Sequence, residues 1–319
     1  MRKEIVWAII GGIFFGLIVA FGIWRINYSK TEKPKAIINP SETPKSVSES
    51  KLQISIDKPK NESVVTESLL TLSGISKPNT YIVISTNEAD YLTKTDQAGV
   101  FLTDIELVSG INQIVLTALD EFGMGDKTSL TIIYSPAFIM KENIEEASVS
   151  GSTIRDKVQA KVNELLYSPK AYLGIVTDIT DSTVQLRTTT GEIKQTSVAE
   201  DEIVVTKDSG TKVTSVKFAD VAIGDFIVAM GYLPAQAGIN SNSVLAAQRI
   251  LITPQIEELK IDISYGQAVD LLTSPKPTAK TSIFSFENGN VTKIKLADIE
   301  DEQNVIYVNS RTIFALTQN

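Results

Sequence analysis

Short stretches of alternating apolar and polar residues, separated by turn sequences, make up most of the chain after residue 51. Residues 52–56, 81–85 and 129–134 are examples, and Gly, Pro, Asn and Asp are frequent between such stretches. Alternation with a period of two places one face of a strand in a core and the other face in solvent. Short strands with frequent turns are typical of sandwiches and barrels. The sequence therefore predicts a mainly β fold.

A second feature is an uninterrupted apolar run near the N-terminus. Residues 5–24 are 20 consecutive uncharged and mostly apolar residues. A helix rises about 1.5 Å per residue, so this run would span the roughly 30 Å hydrocarbon core of a bilayer. Trp7 and Trp24 lie near its ends, where an indole ring suits the membrane interface. Residues 1–26 are therefore predicted to be a single transmembrane anchor that contacts the lipid bilayer through residues 5–24.

A cleaved signal peptide is the alternative interpretation of the same segment. Ala20 and Gly22 have the small-residue spacing of a cleavage site after Gly22, and the segment begins with basic residues. The apolar run is longer than a usual signal-peptide core, however, and bulky Ile23 and Trp24 follow at once. These two features favour a retained anchor.

Small residues recur every four positions along the predicted anchor. They are Ala8, Gly12, Gly16 and Ala20, which share one face of a helix. Gly12 and Gly16 form a GxxxG step, which allows two helices to approach closely in lipid. We therefore expect this face to contact another membrane helix, either in a homo-oligomer or in a protein partner. The alternative is that these residues reflect only the abundance of small residues in membrane helices.

The absence of two residue types restricts the possible chemistry, because the chain has no Cys and no His. Disulfide bonds, thiolate nucleophiles, Cys/His metal sites and imidazole bases are thereby excluded. The densest acidic clusters, residues 200–202 and 300–302, fit solvated turns better than calcium sites. Ser209 and Lys212 have the Ser-x-x-Lys spacing of penicillin-binding enzymes, but they lie in a predicted turn without the second motif. We expect a non-enzyme with no catalytic residue, no metal and no cofactor.

Charge and proline content separate the N-terminal part from the rest. The whole chain carries a net charge of −8, whereas residues 1–51 contain eight basic and four acidic residues. The remainder is therefore acidic and lacks the basic footprint of a nucleic-acid binder, so no nucleic-acid partner is expected. Residues 27–51 contain Pro34, Pro40 and Pro44 among polar residues, with almost nothing to bury. They are predicted to be a disordered linker.

Residues 52–135 are predicted to form a sandwich of about seven short strands. The sequences that carry this prediction follow one another as Pro59, residues 70–74, Pro78, and residues 95–101, 110–112 and 117–123. This order resembles bacterial immunoglobulin-like modules. The resemblance implies an Ig-like β-sandwich of the kind found on cell-surface proteins and secreted enzymes, where it spaces, adheres or stabilises. The Cys-Trp-Cys core of antibody domains is absent, so antigen-type recognition is not implied.

A helical connector is predicted for residues 136–169. Thr153 and Asp156 form a capping-box pattern, and apolar residues recur at helical spacing over residues 154–167. The helix should end at about residue 167, because Pro169 disfavours helical backbone in the residue before it. Packing against the next domain is its expected use, and binding a partner is the alternative.

Residues 170–253 are predicted to form a small β-barrel. Residues 223–231 place a Gly-Asp turn before a strand, and residues 244–250 provide a last strand that would close the sheet. This stretch is similar to small OB-like barrel domains of unknown function that recur on bacterial envelope proteins. The resemblance implies the barrel fold and indicates neither a ligand nor an active site.

Residues 254–319 are predicted to be a β-rich tail. Its Asn-Gly pair at residues 288–289 is the preferred pair for a type I′ hairpin. Two short matches suggest a partial repeat of the barrel: Gly174 with Gly266, and Gly191 with Gly289. The tail would then either form a partial second barrel or add strands to the first.

Together these predictions describe a mainly β, single-pass membrane protein without catalytic function. The expected function is that of a cell-surface or envelope protein that spaces, adheres or binds another protein. More basic residues follow the apolar run than precede it, so the positive-inside rule taken alone would place the C-terminal part in the cytoplasm. Long domains translocate largely regardless of such charges, however, and the modules that follow resemble those of surface proteins. We therefore expect a cytoplasmic N-terminus and extracytoplasmic C-terminal domains. An accessory or regulatory subunit of an envelope complex is the first alternative. A glycan hydrolase that uses a pair of carboxylates is the second.

Overall fold

The computed structural model describes most of the chain after the predicted linker: residues 52–120, 122–123, 125–138, 168–199, 202–210, 212–233, 244–273 and 276–317. The predicted anchor with Ala8, Gly12, Gly16 and Ala20 lies outside these residues, as do the predicted linker and the predicted connector helix. Within the described ranges, no helix has the length and apolar character needed to cross a membrane. The described part is mainly β, which confirms the predicted fold class at that level.

Short strands joined by turns account for most of the described residues, and each strand is three to ten residues long. In chain order they are β1 (Ser55–Lys58), β2 (Ser63–Val65), β3 (Leu69–Ile75), β4 (Tyr81–Ser85), β5 (Asp90–Lys94), β6 (Val100–Glu106), β7 (Gly110–Leu119), β8 (Gly125–Tyr134), β9 (Lys170–Ile179), β10 (Thr183–Arg187), β11 (Ile193–Val198), β12 (Val204–Asp208), β13 (Val213–Val216), β14 (Phe226–Tyr232), β15 (Leu245–Ile252), β16 (Ile263–Gln267), β17 (Ser282–Glu287), β18 (Asn290–Lys293), β19 (Asn304–Val308) and β20 (Thr312–Leu316). A short helix, α1, spans Ala268–Leu271, and 3-10 helices span Phe218–Asp220 and Leu296–Asp298.

Strands β1 to β8 form two sheets packed face to face, which we call the sandwich. Strands β1, β3 and β6 form one sheet, and β2, β8, β7, β4 and β5 follow one another in the other. Successive residues of a strand face opposite sides, so every second side chain points between the sheets. The core between them is apolar, and its largest fully buried side chains are Leu72, Ile82, Ile84, Phe101, Ile105, Ile114, Leu116 and Ile132.

Strands β9, β10, β11, β15 and β14 close into a ring, because β14 pairs with both β15 and β9. Neighbouring strands of the ring are antiparallel except β11 and β15, which are parallel. Strand β11 pairs with residues 245–247 of β15, and β12 pairs in parallel with the next part of β15, residues 249–252. Strand β13 in turn pairs with β12. Apolar side chains fill the interior of the ring, among them Val184, Leu186, Ile227 and Ile250.

The remaining strands form a separate five-stranded sheet, which we call the C-terminal sheet. Its order is β16-β19-β20-β17-β18, and β17 and β20 are its parallel pair. The same pairing and directions occur in β9-β14-β15-β12-β13. Gly174 pairs with Ile227 and Gly266 pairs with Val305, so the first matched pair of glycines occupies equivalent positions. The C-terminal sheet thus repeats five strands as an open sheet and, within the described residues, adds none to the ring.

The second predicted match fails, although the hairpin prediction behind it is correct. Asn288 and Gly289 have φ angles of 49° and 82° and connect β17 directly to β18. Positive φ at both residues is what a type I′ turn requires, which confirms the predicted hairpin. Gly191 lies in the β10–β11 turn, and the described strands of the C-terminal sheet include no counterpart of that hairpin. The match of Gly191 with Gly289 is therefore wrong.

Strand β2 joins the sandwich to the ring. It pairs in parallel with β8 through residues 63–65, and Ser63 also pairs with Lys170 of β9. One sheet therefore continues from the sandwich into the ring. A buried cluster covers this junction, and its members are Val64, Ile133, Phe138, Ala171, Leu173, Phe226, Val228, Met230 and Tyr232.

The C-terminal sheet packs on the same sandwich sheet near β4 and β5. The apolar contact consists of Val83, Leu92 and Leu119 of the sandwich with Phe286, Ile306, Val308, Phe314 and Leu316. An ion pair lies beside it, with Arg311 Nη2 2.7 Å from Asp90 Oδ1. Arg311 Nε donates to Asp90 Oδ2 at 2.8 Å, and the Thr312 hydroxyl donates to the same oxygen at 2.7 Å. Apolar packing and a buried charge pair together hold the C-terminal sheet in place.

Candidate binding cleft at the junction of the sandwich and the ring

A cleft of about 870 Å³ lies where the sandwich meets the ring. Strands β7 and β8 and the residues before β2 form one side, and β9, β14, β11 and the β10–β11 turn form the other. The segment after β15 completes the wall. Gln113 holds that segment, because its Nε2 donates to the Glu257 carbonyl at 2.9 Å and its Oε1 accepts from the Leu259 amide at 2.5 Å. The cleft therefore depends on the folding of three separate parts of the chain.

Glu62 occupies the point where the two sides of the cleft meet. Its N–H donates to the Thr131 carbonyl at 2.8 Å, and its own carbonyl accepts from the Ala171 amide at 2.8 Å. The φ angle of Glu62 is 62°, in the left-handed region that residues other than glycine seldom adopt. Asn61 fixes the same position, because its Oδ1 accepts from the Thr131 amide at 2.7 Å. Backbone bonds to both sides therefore hold Glu62 in an uncommon conformation.

The Glu62 side chain brings a carboxylate to the cleft wall. Burial raises the pKa of this carboxyl above its ordinary value, because a charged carboxylate is disfavoured away from water. Lys194 and Lys170 act in the opposite direction, and Glu192 adds to the increase. No hydrogen bond or ion pair engages this carboxylate within the part of the chain that the structure describes. Glu62 is thus available to accept a bond from a ligand.

A lysine on β11 supplies the opposite charge. Lys194 Nζ lies 2.8 Å from Glu192 Oε2, and the lysine side chain is 18% exposed while that of Glu192 is 60% exposed. The hydrogen bond to Glu192 raises the pKa of Lys194. Lys194 Nζ also lies 5.8 Å from the centre of the Tyr172 ring, within cation–π range. The Lys194–Glu192 pair is therefore largely self-neutralised. Glu62 and the exposed Glu258 are the other acidic residues of the described cleft lining, and of these two only Glu62 is partly buried.

Strand β8 presents its backbone edge to the cleft. It pairs with β7 along its whole length, but β2 pairs only with residues 132–134 on its other side. Five consecutive residues, 127–131, line the cleft. Side chains of successive strand residues point to opposite faces, so five in a row can face one cavity only if the strand edge itself faces it.

The acidic clusters and the Ser-x-x-Lys pair, which the sequence did not favour as sites, do not line this cleft with any of their described residues. Glu202 and residues 300–302 are exposed, and the other two members of the first acidic cluster lie outside the described residues. Ser209 and Lys212 close the β12–β13 turn, where the serine hydroxyl donates to the lysine carbonyl at 3.1 Å. Among the residues that the structure describes, no three acidic side chains approach closely enough to hold a metal ion.

Glu62, Glu192 and Lys194 are not among the candidate site residues that the sequence predicts. Glu62 lies far from the other two in the chain, and the β2–β9 contact brings them together. No motif or periodicity marks a site that only such a long-range pairing creates. The sole local signal is that Glu62 follows Asn61 in a turn between two short strands.

No family model and no curated protein matches the chain. Three solved structures are similar to parts of it. A carbohydrate acetylesterase from Xanthomonas citri shares 15% identity at a TM-score of 0.20, over 23% of this chain and 17% of that one. A Ca²⁺-stabilized adhesin that helps an Antarctic bacterium bind ice shares 16% identity at a TM-score of 0.21, over 66% and 51% of the two chains.

The third structure is SGBP-B of the Bacteroides ovatus mixed-linkage glucan utilization locus, in complex with a mixed-linkage heptasaccharide. It shares 8% identity at a TM-score of 0.18, over 74% of this chain and 77% of that one. The chain spans only 17% and 51% of the first two proteins. TM-scores of this size do not indicate a shared fold, so these similarities support no argument about function.

Proposed function

We propose that this chain is a non-catalytic, membrane-anchored envelope protein that uses the cleft to contact another protein. The observation that carries the proposal is the cleft itself, whose walls come from the sandwich, the ring and the segment after β15. Concave surfaces between packed units are common places for binding sites. Residues 5–24 would tether this surface to a membrane, and the linker at residues 27–51 would set its distance from the lipid.

The strand orders favour an Ig-like sandwich and an OB-like ring within this protein. The three-stranded sheet packs on a five-stranded one, and the chain passes from the first sheet to the second between β1 and β2. The five strands of the ring, β9-β10-β11-β15-β14, match the strand number of an OB-fold. Both assignments support an exported, modular protein by analogy with proteins that carry such units.

The side chains of the ring favour contact with a protein over binding of a nucleic acid. Single-stranded nucleic acids need a basic groove and exposed aromatic rings for stacking. Tyr172, Phe226 and Tyr232 are instead buried, and Phe218 packs against the apolar interior. The acidic and basic side chains of the cleft nearly balance. A catalytic role is disfavoured because the chain lacks His and Cys, and hydrolysis by paired carboxylates stays the less favoured alternative.

Location is tested by protease treatment of intact cells that express the full chain with a different epitope at each end. We expect the C-terminal epitope to be lost from intact cells while the N-terminal epitope survives in the membrane fraction. Survival of the C-terminal epitope until the cells are lysed would contradict the outward orientation. Recovery of the full chain in the soluble fraction would contradict the anchor.

Contact through the cleft is tested with a photocrosslinking amino acid at Ser129, which lines the cleft. The matched control carries the same amino acid at Lys293, which is exposed on β18 of the C-terminal sheet. We expect a protein adduct from position 129 that is absent from position 293. Identical products at both positions, or none from position 129, would contradict the use of the cleft.

A further inference from the structure

The open edge of β8 carries backbone groups that the fold does not use. Thr131 directs its N–H to Asn61 and its carbonyl to Glu62, away from β7. Backbone groups of alternate strand residues point to the same side, so Lys127 and Ser129 also direct their N–H and C=O groups away from β7. Neither residue has a backbone partner on that side among the residues described. A short ladder of donors and acceptors is therefore available at the cleft wall.

In the other sandwich sheet, side chains occupy the outer edge of β6. The Val100 amide of β6 donates to Asp96 Oδ1 at 2.8 Å, and the Glu106 amide donates to the Tyr91 hydroxyl at 3.0 Å. Side chains thus block both ends of that edge, as is common where a sheet must not recruit another strand. Among the residues that the structure describes, no side chain blocks the edge of β8 between Lys127 and Ser129, and this edge lies inside a cleft.

We propose that the cleft binds an extended peptide segment that adds to the edge of β8 as a further strand. The added strand would occupy the place beside residues 126–130 that the short β2 leaves empty. In this mode the main-chain bonds supply affinity, and alternate side chains of the peptide meet the two walls. The proposal rests on the proposed function, because it specifies the partner of the cleft as an unfolded or extended stretch of protein.

The charge at one end of this edge specifies the peptide further. Glu62 follows directly beyond Thr131 along the edge. Lys194 and Lys170 favour its charged form from a distance, but within the described part of the chain its carboxylate makes no hydrogen bond or ion pair. A lysine or arginine of the peptide placed there would pair with it, and this geometry favours the charge-assisted bonds that an acidic peptide cannot form. We therefore assign the cleft to peptides with a basic residue near the end that reaches Glu62.

The experiment selects ten-residue random peptides displayed on phage against the full chain in lipid nanodiscs. The test variant is Ser129→Pro, which removes one outward N–H and obstructs the edge without removing a bond to β7. The control is Ser129→Ala, which keeps the N–H. We expect enriched peptides with alternating apolar residues and a basic residue, and at least a tenfold weaker affinity for Ser129→Pro than for Ser129→Ala by fluorescence anisotropy.

A second measurement keeps the test independent of the stability of Ser129→Pro. An enriched peptide is synthesised with one N-methylated amide at each position in turn. Strand addition predicts that methylation at every second residue abolishes binding, whereas methylation between these positions has little effect. Failure to enrich any peptide over the Ser129→Pro background, or equal sensitivity at all positions, would overturn the proposal.

The two proposals fail separately. If crosslinking and protease treatment support an external contact protein while Ser129→Pro binds its partner normally, strand addition is wrong and the proposed function stands. If the peptide binds at the β8 edge but the C-terminal epitope proves cytoplasmic, the location is wrong and the peptide site stands.

Discussion

Replacing Arg311 with leucine is expected to loosen the C-terminal sheet from the sandwich. The guanidinium makes two bonds to Asp90, at 2.7 and 2.8 Å. It also donates to the backbone carbonyls of Thr86, Asn87 and Ala89. The Asp90 side chain is 0% exposed, whereas that of Arg311 is 29% exposed. Leucine would leave a buried carboxylate without its cation.

The expected loss follows from the burial of the two partners. Removing one partner of a buried ion pair costs about 3–5 kcal/mol, because the other charge stays buried. Water can reach the position of Arg311 in part, so we expect the lower end, about 3 kcal/mol. In a unit of this size, 1 kcal/mol shifts the unfolding midpoint by about 2–4 °C, which gives a decrease of roughly 6–12 °C.

Thermal unfolding followed by circular dichroism measures this decrease, and hydrogen exchange of β16 to β20 shows where it occurs. Arg187→Leu is the control, because Arg187 is exposed on β10. The double variant Asp90→Leu/Arg311→Leu should recover part of the loss, since it buries no unpaired charge. If Arg311→Leu differed from Arg187→Leu by less than about 1 kcal/mol, the ion pair would not be what holds the C-terminal sheet.

The repeat, the cleft and the proposed anchor each respond to a single substitution in a measurable way. Gly174→Ala should lower the free energy of unfolding in urea by about 1–3 kcal/mol, because a Cβ there would collide with the Arg187 carbonyl. Gly266→Ala should be nearly neutral, because its Cβ would meet only the Leu271 side chain. Equal effects would contradict the different surroundings that the repeat gives these two equivalent glycines. Burial raises the pKa of Glu62 above its ordinary value of 4.5, so the folded state binds the proton more tightly than the unfolded state. The free energy of unfolding, compared with that of Glu62→Gln, should therefore fall as the pH rises above 4.5. Urea unfolding of both proteins at about pH 4 and pH 7 measures this difference, and a gap that does not change with pH would refute it. If residues 5–24 form the proposed anchor, Gly12→Ile should reduce crosslinking between these segments in membranes, and unchanged crosslinking would exclude this face as a helix contact.

Local patterns in the sequence predicted those parts of the fold that local physics determines. Period-two alternation predicted strands such as β3 and β8, because a half-buried strand needs one apolar face. The Asn-Gly pair at residues 288–289 predicted its turn, because both residues tolerate positive φ. The ring, in contrast, depends on the parallel pairing of β11 with β15, and no local pattern specifies such a partner.

The candidate site was not predictable for a related reason. Glu62 lies in a turn between two strands of four and three residues. Its position at the cleft follows from backbone bonds to Thr131 and Ala171, which come from different parts of the chain. The open edge of β8 is likewise a consequence of the shortness of β2 rather than of the β8 sequence.

The repeat explains why the ring and the C-terminal sheet pack on the sandwich in the same way. Val228 pairs with Leu251 in the ring, and Ile306 pairs with Phe314 at the equivalent place in the C-terminal sheet. The first pair packs at the β2–β8 junction and the second near β4 and β5. Both units therefore turn the same face toward one sandwich sheet, which has apolar outer residues at both places.

On the face of the C-terminal sheet that points away from the sandwich, other residues take the place of the β10–β11 hairpin. In the ring this face points inward, and the small Ala229 lies there, covered by the strands that close the ring. The equivalent residue of the C-terminal sheet is Tyr307, which packs with Ala268 and Leu271 of α1. A larger side chain and a short helix thus fill the volume that the missing hairpin would occupy. This is also why Gly266 meets the flexible end of Leu271, whereas its counterpart Gly174 meets the backbone of β10.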